Sequence, residues 1–183
     1  MGCAYLIVLA SFATLIFACT VIGTPSPFVI NDTMCYTAFG FKSSCNSATY
    51  TYTTNNLPTC ESVIRRLNSL IAFEIASIVF SAATVALLIL TILFKRRVFK
   101  YFAEGSLVIS IVTTLVSMGM QVALYETDYC APGTAFKDNG YHLSGGFVTF
   151  CVAWVVSMPL SIMLACATVE ESSGDRVSPV VEQ

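Results

Sequence analysis

Four long apolar runs decide what this chain can fold into. They lie at roughly Tyr5–Ile22, Leu70–Phe94, Leu107–Leu124 and Gly145–Ala167. A helix that crosses a bilayer needs ~20 predominantly apolar residues. Inside hydrocarbon a segment must satisfy its own backbone hydrogen bonds, so runs of this length read as helices. No run carries a charge near its centre; Glu74 sits about one turn inside the second. Charged residues make up 11% of the chain, where an ordinary soluble domain carries roughly 25%. The expectation is a single four-span membrane domain over residues 1–167. A polar, acidic stretch follows at 168–183 and reads as a disordered cytoplasmic tail.

Charge orients the spans. Lys95, Arg96, Arg97 and Lys100 crowd the short link 95–106 between the second and third runs, and an excess of Lys and Arg marks the cytoplasmic side. Both termini are then cytoplasmic, and the loops at 23–69 and 125–144 face outward. Arg65 and Arg66 oppose this orientation, because they lie in the long outer loop; long translocated loops follow the rule poorly. The first run reads as an uncleaved anchor rather than a signal peptide: it lacks a basic leading segment, and its apolar stretch is too long. Met1-Gly2-Cys3 hints at myristoylation, yet Leu6 stands where Ser or Thr is needed.

The long loop is expected to fold into a small head. Phe28–Ile30 and Met34–Phe39 are rich in β-branched and aromatic residues, and Thr49–Thr53 alternates hydroxyl and aromatic side chains. Gly40 and Asn55-Asn56 supply turns. A small antiparallel sheet is marginal alone in water, which gives cysteines a purpose. Cys35, Cys45, Cys60 and Cys130 lie in polar loops, and four cysteines allow three pairings. The reading favours Cys35–Cys45, which flank the turn at Gly40, and Cys60–Cys130, which would tie the short loop to the long one. Asn31-Asp32-Thr33 is a sequon, so Asn31 is a candidate glycosylation site.

The stretch Cys35–Cys45, CYTAFGFKSSC, also resembles the signature of the amastins, kinetoplastid surface glycoproteins. Cys35, Tyr36, Thr37, Phe39, Gly40, Lys42 and Cys45 fit its order, with Ala38 and Ser44 departing from the usual residues. Gly23-Thr24-Pro25 is similar to the family's exit from its first helix. Tyr141, Gly146, Phe147, Ala153 and Trp154 are similar to the opening of its last. The resemblance implies a parasite surface glycoprotein with roles in host contact and membrane integrity. It also implies a claudin-like topology, although the claudin Gly-Leu-Trp motif is absent.

Apolar side chains do not drive helices together in lipid, so association rests on small residues. The fourth run has the most regular set: Gly145, Thr149, Ala153, Ser157, Ser161 and Ala165. Rows spaced by four drift roughly 40° per step around a straight helix, so the row cannot all face one neighbour. Lateral homo-oligomers are expected from the remainder. Pro159 is expected to bend this helix.

Chemistry is sparse. His142, the single histidine, has Ser144 beside it but no nucleophile elbow around it. There is no Walker loop, no His-Glu-x-x-His and no Cys-x-x-Cys, and the loop cysteines lack zinc spacing. The expectation is no enzyme, no metal and no cofactor. The net charge of −2 speaks against nucleic acid as a partner. The partners expected are the bilayer, further copies of the chain, and a surface or host-cell partner of unspecified kind. The function expected is contact at the plasma membrane. The alternative is an oligomeric channel or a small-solute or lipid transporter, with Glu74 and the uncharged Gln121 as its polar residues. Glu74 is expected to snorkel or to meet a polar loop.

Overall fold

The computed structural model describes residues 3–131 and 135–167. The expected tail at 168–183 lies outside the described residues. Four helices, α1 (Cys3–Gly23), α2 (Glu61–Phe94), α3 (Arg97–Glu126) and α4 (Gly145–Cys166), are each long and apolar enough to cross a membrane. They close into a ring, each packing on the next in sequence and α1 packing on α4. Leu9, Ala13, Ile16, Leu88, Leu107, Ala153, Leu160 and Leu164 form one core cluster inside it.

Two helices extend beyond their apolar runs. α2 begins at Glu61, nine residues before Leu70, so Arg65 and Arg66 lie on a helix and not in a loop. α3 begins at Arg97 and leaves Lys95 and Arg96 as the only residues between the two helices. Lys95 caps α2 in a left-handed conformation, with its amide on the Thr91 carbonyl. The link expected at 95–106 is therefore mostly helix. Lys100, expected in that link, lies on α3 and is buried. Its Nζ donates to the carbonyls of Ala165 and Ala167 at the end of α4. A cation there satisfies carbonyls that a helix C-terminus leaves unpaired.

Polar contacts recur along the helix interfaces. The hydroxyls of Ser77 and Thr114 join α2 to α3 at 2.6 Å, and Ser106 Oγ donates to the Phe80 carbonyl at 2.8 Å. Thr20 and Ser81 meet at 3.3 Å between α1 and α2. Tyr5 donates to the Met163 carbonyl across α1 and α4. Glu74 neither snorkels nor reaches a loop: it is 1% exposed and accepts a 3.0 Å hydrogen bond from Gln121 Nε2. The α4 row behaves as its drift requires. Ala153 and Ser157 are buried, Thr149 and Ser161 half-buried, and Gly145 and Ala165 at its ends exposed. α4 runs through Pro159 without interruption.

At one end of the ring sits a five-stranded antiparallel sheet. Its strands are β1 (Val29–Asn31), β2 (Met34–Thr37), β3 (Gly40–Lys42), β4 (Tyr52–Thr53) and β5 (His142–Leu143), in the order β4-β3-β2-β1-β5. β1 and β2 match the stretches whose composition favours strands, whereas β3 begins at Gly40, expected as a turn. The alternation at Thr49–Thr53 yields only the two residues of β4 as strand. β5 comes from the second loop and pairs with β1, Val29 opposite Leu143 and Ile30 opposite His142. Both loops therefore lie on one side of the bundle.

Removing the donor that faces Glu74 tests whether these contacts carry stability. Gln121→Leu is expected to destabilise the bundle by roughly 1–3 kcal/mol, the cost of stranding a buried polar group. Glu74→Gln, which keeps an acceptor for Gln121, is expected to cost less. Thermal unfolding in detergent reads both, and a neutral Gln121→Leu would show that the contact is dispensable.

Candidate functional site: the head and its junction with the bundle

The residues between Cys35 and Cys45 build the centre of the sheet. Thr37 and Gly40 pair across a two-residue turn of Ala38 and Phe39. The buried Thr37 hydroxyl accepts from the Phe39 amide at 3.2 Å. Thr54 locks the outside of the turn, with its hydroxyl on the Ala38 carbonyl and its amide on the Phe39 carbonyl. Gly40 has φ 148°, and a Cβ there would run into the Tyr52 carbonyl. Only glycine permits both that conformation and that approach. Lys42 donates to the Ser47 carbonyl at 3.0 Å and lies 4.7 Å from the Tyr50 ring centroid.

Cys35 and Cys45 do not form the expected disulfide; both are free thiols and lie beside one another. Cys35 pairs in register with Lys42. Cys45 lies beyond β3 and is brought back by its amide, which donates to the Thr33 carbonyl at 2.8 Å. Proximity is provided and the bond is not. Burial, then the neighbouring Cys45 thiol, push the Cys35 thiol up to about 12, with Lys42 pulling the other way. A thiol held protonated is a poor nucleophile. A disulfide does join Cys60 to Cys130, with Cα atoms 5.7 Å apart. It ties the start of α2 to the second loop.

On the other face, Tyr36 packs against Phe41, Phe136 and Tyr141, with ring centroids 4.7–5.7 Å apart. Burial, then the neighbouring Tyr141, push the Tyr36 phenol up to about 12. Tyr36, Phe136 and Tyr141, with the tops of α2 and α3, line a cleft of about 460 Å³ that reaches the Cys60–Cys130 bridge. Beneath them Phe28, Val29, Ala38, Leu57, Leu67, Leu70 and Leu124 form a second core, which seats the sheet on the helices.

The junction also joins segments far apart in sequence. The amide of Ser144 donates to the Phe28 carbonyl and that of Gly146 to the Pro27 carbonyl, both at 2.8 Å. A Cβ at Gly146 would lie 2.7 and 2.8 Å from the carbonyl oxygens of Ser26 and Pro27. At Gly23 a Cβ would collide with Thr149 and the Phe150 ring. Thus the exit of α1, the Cys35–Cys45 stretch and the start of α4 meet at one place. A family model described as Amastin surface glycoprotein matches residues 8–164. The chain belongs to the amastin family. No curated protein matches it. In this amastin the three motifs are one structural unit, and the four spans carry a small head.

Asn31, expected as a sequon in the long outer loop, sits on a strand and has a partner there. Asn31 ends β1 at the tip of the β1–β2 hairpin, where Asp32 takes φ 47°. Its Nδ2, the atom a glycan would occupy, donates to the Asn139 carbonyl at 2.9 Å. Sequon and structural tie thus coincide, and two substitutions separate them. Asn31→Ala and Thr33→Ala both abolish the sequon. Only Asn31→Ala is expected to loosen the head, by roughly 0.5–1.5 kcal/mol. Gel mobility after deglycosylation reads the first effect and thermal unfolding the second; equal stabilities would show that the tie contributes nothing.

Proposed function

We propose that this amastin is a non-enzymatic cell-surface glycoprotein of the plasma membrane that works by contact through its head. On this reading both termini are cytoplasmic and both loops, with the Asn31 glycan, face outward. Adhesion, membrane organisation and host–parasite contact are its settings. The observation that carries the reading is the rim of the sheet around β4. Thr51, Tyr52 and Thr53 are exposed there, and Tyr52 stacks on Phe41 at 6.4 Å. The Thr51 hydroxyl donates to Ser43 Oγ and accepts from the Ser43 amide, both at 3.0 Å. Ser47 and Thr49 share a further hydroxyl contact. Tyr side chains fixed in this way offer large contact area at low conformational cost, the property that favours them in binding surfaces. Lateral association through the exposed ends of the α4 row would multiply weak head contacts.

Glu74 is buried and bonded to Gln121, which supports the contact reading over an oligomeric channel or a small-solute or lipid transporter. Cells displaying the full chain test it. Tyr52→Ala is expected to reach the surface at the wild-type level and to lower cell–cell or cell–host adhesion several-fold. Unchanged adhesion at equal surface level would sink the proposal.

A further inference from the structure

Arg65 and Arg66 carry positive charge on the head side of the bundle, against the bias that orients the chain, and the contact function makes no use of them. We propose that they form, with the cleft between α2 and α3, a binding site for a phosphate-bearing lipid of the head-side leaflet. The lipid's phosphate would lie on Arg66, with Arg65 beside it at the rim, and its acyl chain would run from the cleft down the face of α2 that continues to Phe73.

Position is the first argument. Arg65 and Arg66 precede Leu70, the start of the apolar run, by five and four residues of unbroken helix. At 1.5 Å per residue they stand roughly 6–8 Å above it. The headgroup zone is roughly 5–8 Å deep on each side of the hydrocarbon. The guanidiniums therefore sit at phosphate depth.

Shape is the second. A cleft of about 530 Å³ is lined by Ser62, Arg65, Arg66, Ser69, Met120 and Tyr129, with Glu61 at its upper edge. Ser62, Arg66, Ser69 and Phe73 follow one another on one face of α2. That face passes from hydroxyls and a guanidinium to Phe73, 37% exposed within the apolar run. Met120 contributes the apolar wall from α3. A polar cleft with apolar helix surface continuing below it matches one kind of molecule, an amphiphile standing in the bilayer.

Charge is the third. Arg65 bonds Glu61 at 2.9 Å, one turn away, and both are exposed. Arg66 lies 5.0 Å from the centroid of the Tyr129 ring and, among the described residues, faces no carboxylate partner. Tyr129 is itself fixed, since its carbonyl accepts from Ser62 Oγ at 3.0 Å and Cys130 beside it is bridged to Cys60. The cleft thus keeps one guanidinium held in place and unneutralised. Guanidinium matches phosphate oxygens in geometry as well as charge.

Native mass spectrometry of the full chain in detergent tests this with three probes: phosphatidylglycerol, phosphatidylcholine and inorganic phosphate. Wild type is expected to retain one phosphatidylglycerol, with weaker retention of phosphatidylcholine and no competition from millimolar phosphate. Arg65→Gln/Arg66→Gln is expected to weaken retention at least tenfold. Lys95→Gln/Arg96→Gln, at the opposite end, is expected to leave it unchanged. Ser69→Trp, which fills the cleft and keeps both charges, is expected to weaken retention as strongly as the double substitution. The proposal is overturned if the double arginine variant binds like wild type. It is overturned too if Ser69→Trp binds like wild type, since surface charge alone then suffices, or if phosphate displaces the lipid. Thermal unfolding of each variant, expected within a degree or two of wild type because these side chains line an open surface, separates lost binding from lost fold.

Discussion

A bilayer gives the four helices of this amastin neither hydrogen bonds nor a hydrophobic reason to pack. What joins them must come from their own polar atoms and from small side chains that let backbones approach. The contacts between Ser77 and Thr114, Ser106 and Phe80, Thr20 and Ser81, and Gln121 and Glu74 lie at the interfaces of α1, α2 and α3. Lys100 ties α3 to the end of α4, and Tyr5 ties α1 to the same region. Contacts of this kind average well under 2 kcal/mol each in membranes, so order comes from their number and from their spread along the ring. The head depends on that order, because its floor is made of α2 and α3 residues and its hydrogen bonds reach the start of α4.

The head shows how a sheet too small to stand alone becomes stable. Its strands come from two loops separated by two spans, so β5 can pair with β1 only if the bundle brings α1 and α4 together. Two glycines allow the approach: Gly23 against Thr149 and Phe150, and Gly146 against the carbonyls of Ser26 and Pro27. The Cys60–Cys130 bridge closes the other side. Spans, sheet and bridge are mutually dependent, which fits family motifs that look unrelated along the chain and converge in space.

Much of this was legible in the sequence. Length and hydropathy revealed the four spans, and the small residues on α4 marked a row that could not all face one neighbour, of which Ala153 and Ser157 at the middle are buried. Composition located β1 and β2, while β3 starts at the glycine that reads as a turn. What escaped has physical causes. The polar first turns of α2 and α3 hide helix from a hydropathy reading, because helical structure continues where apolarity stops. β5 is two residues long and has no pattern of its own; its partner strand makes it. Glu74 was misread because depth along a helix does not tell which face a side chain takes, and Gln121 lies 47 residues away. At Cys35 and Cys45 the sequence reading expected a bond where the structure provides adjacency.

The central claim is that head and bundle form one cooperative unit joined at the start of α4. Amide hydrogen exchange in detergent measures it directly. The account predicts that the amides of Ser144 and Gly146, bonded to Phe28 and Pro27, exchange as slowly as that of Phe28, bonded to Tyr36. All three should open together when the protein is destabilised. Rapid exchange at Ser144 and Gly146 while Phe28 stays protected would show that the second loop only rests against the sheet, and would contradict the account.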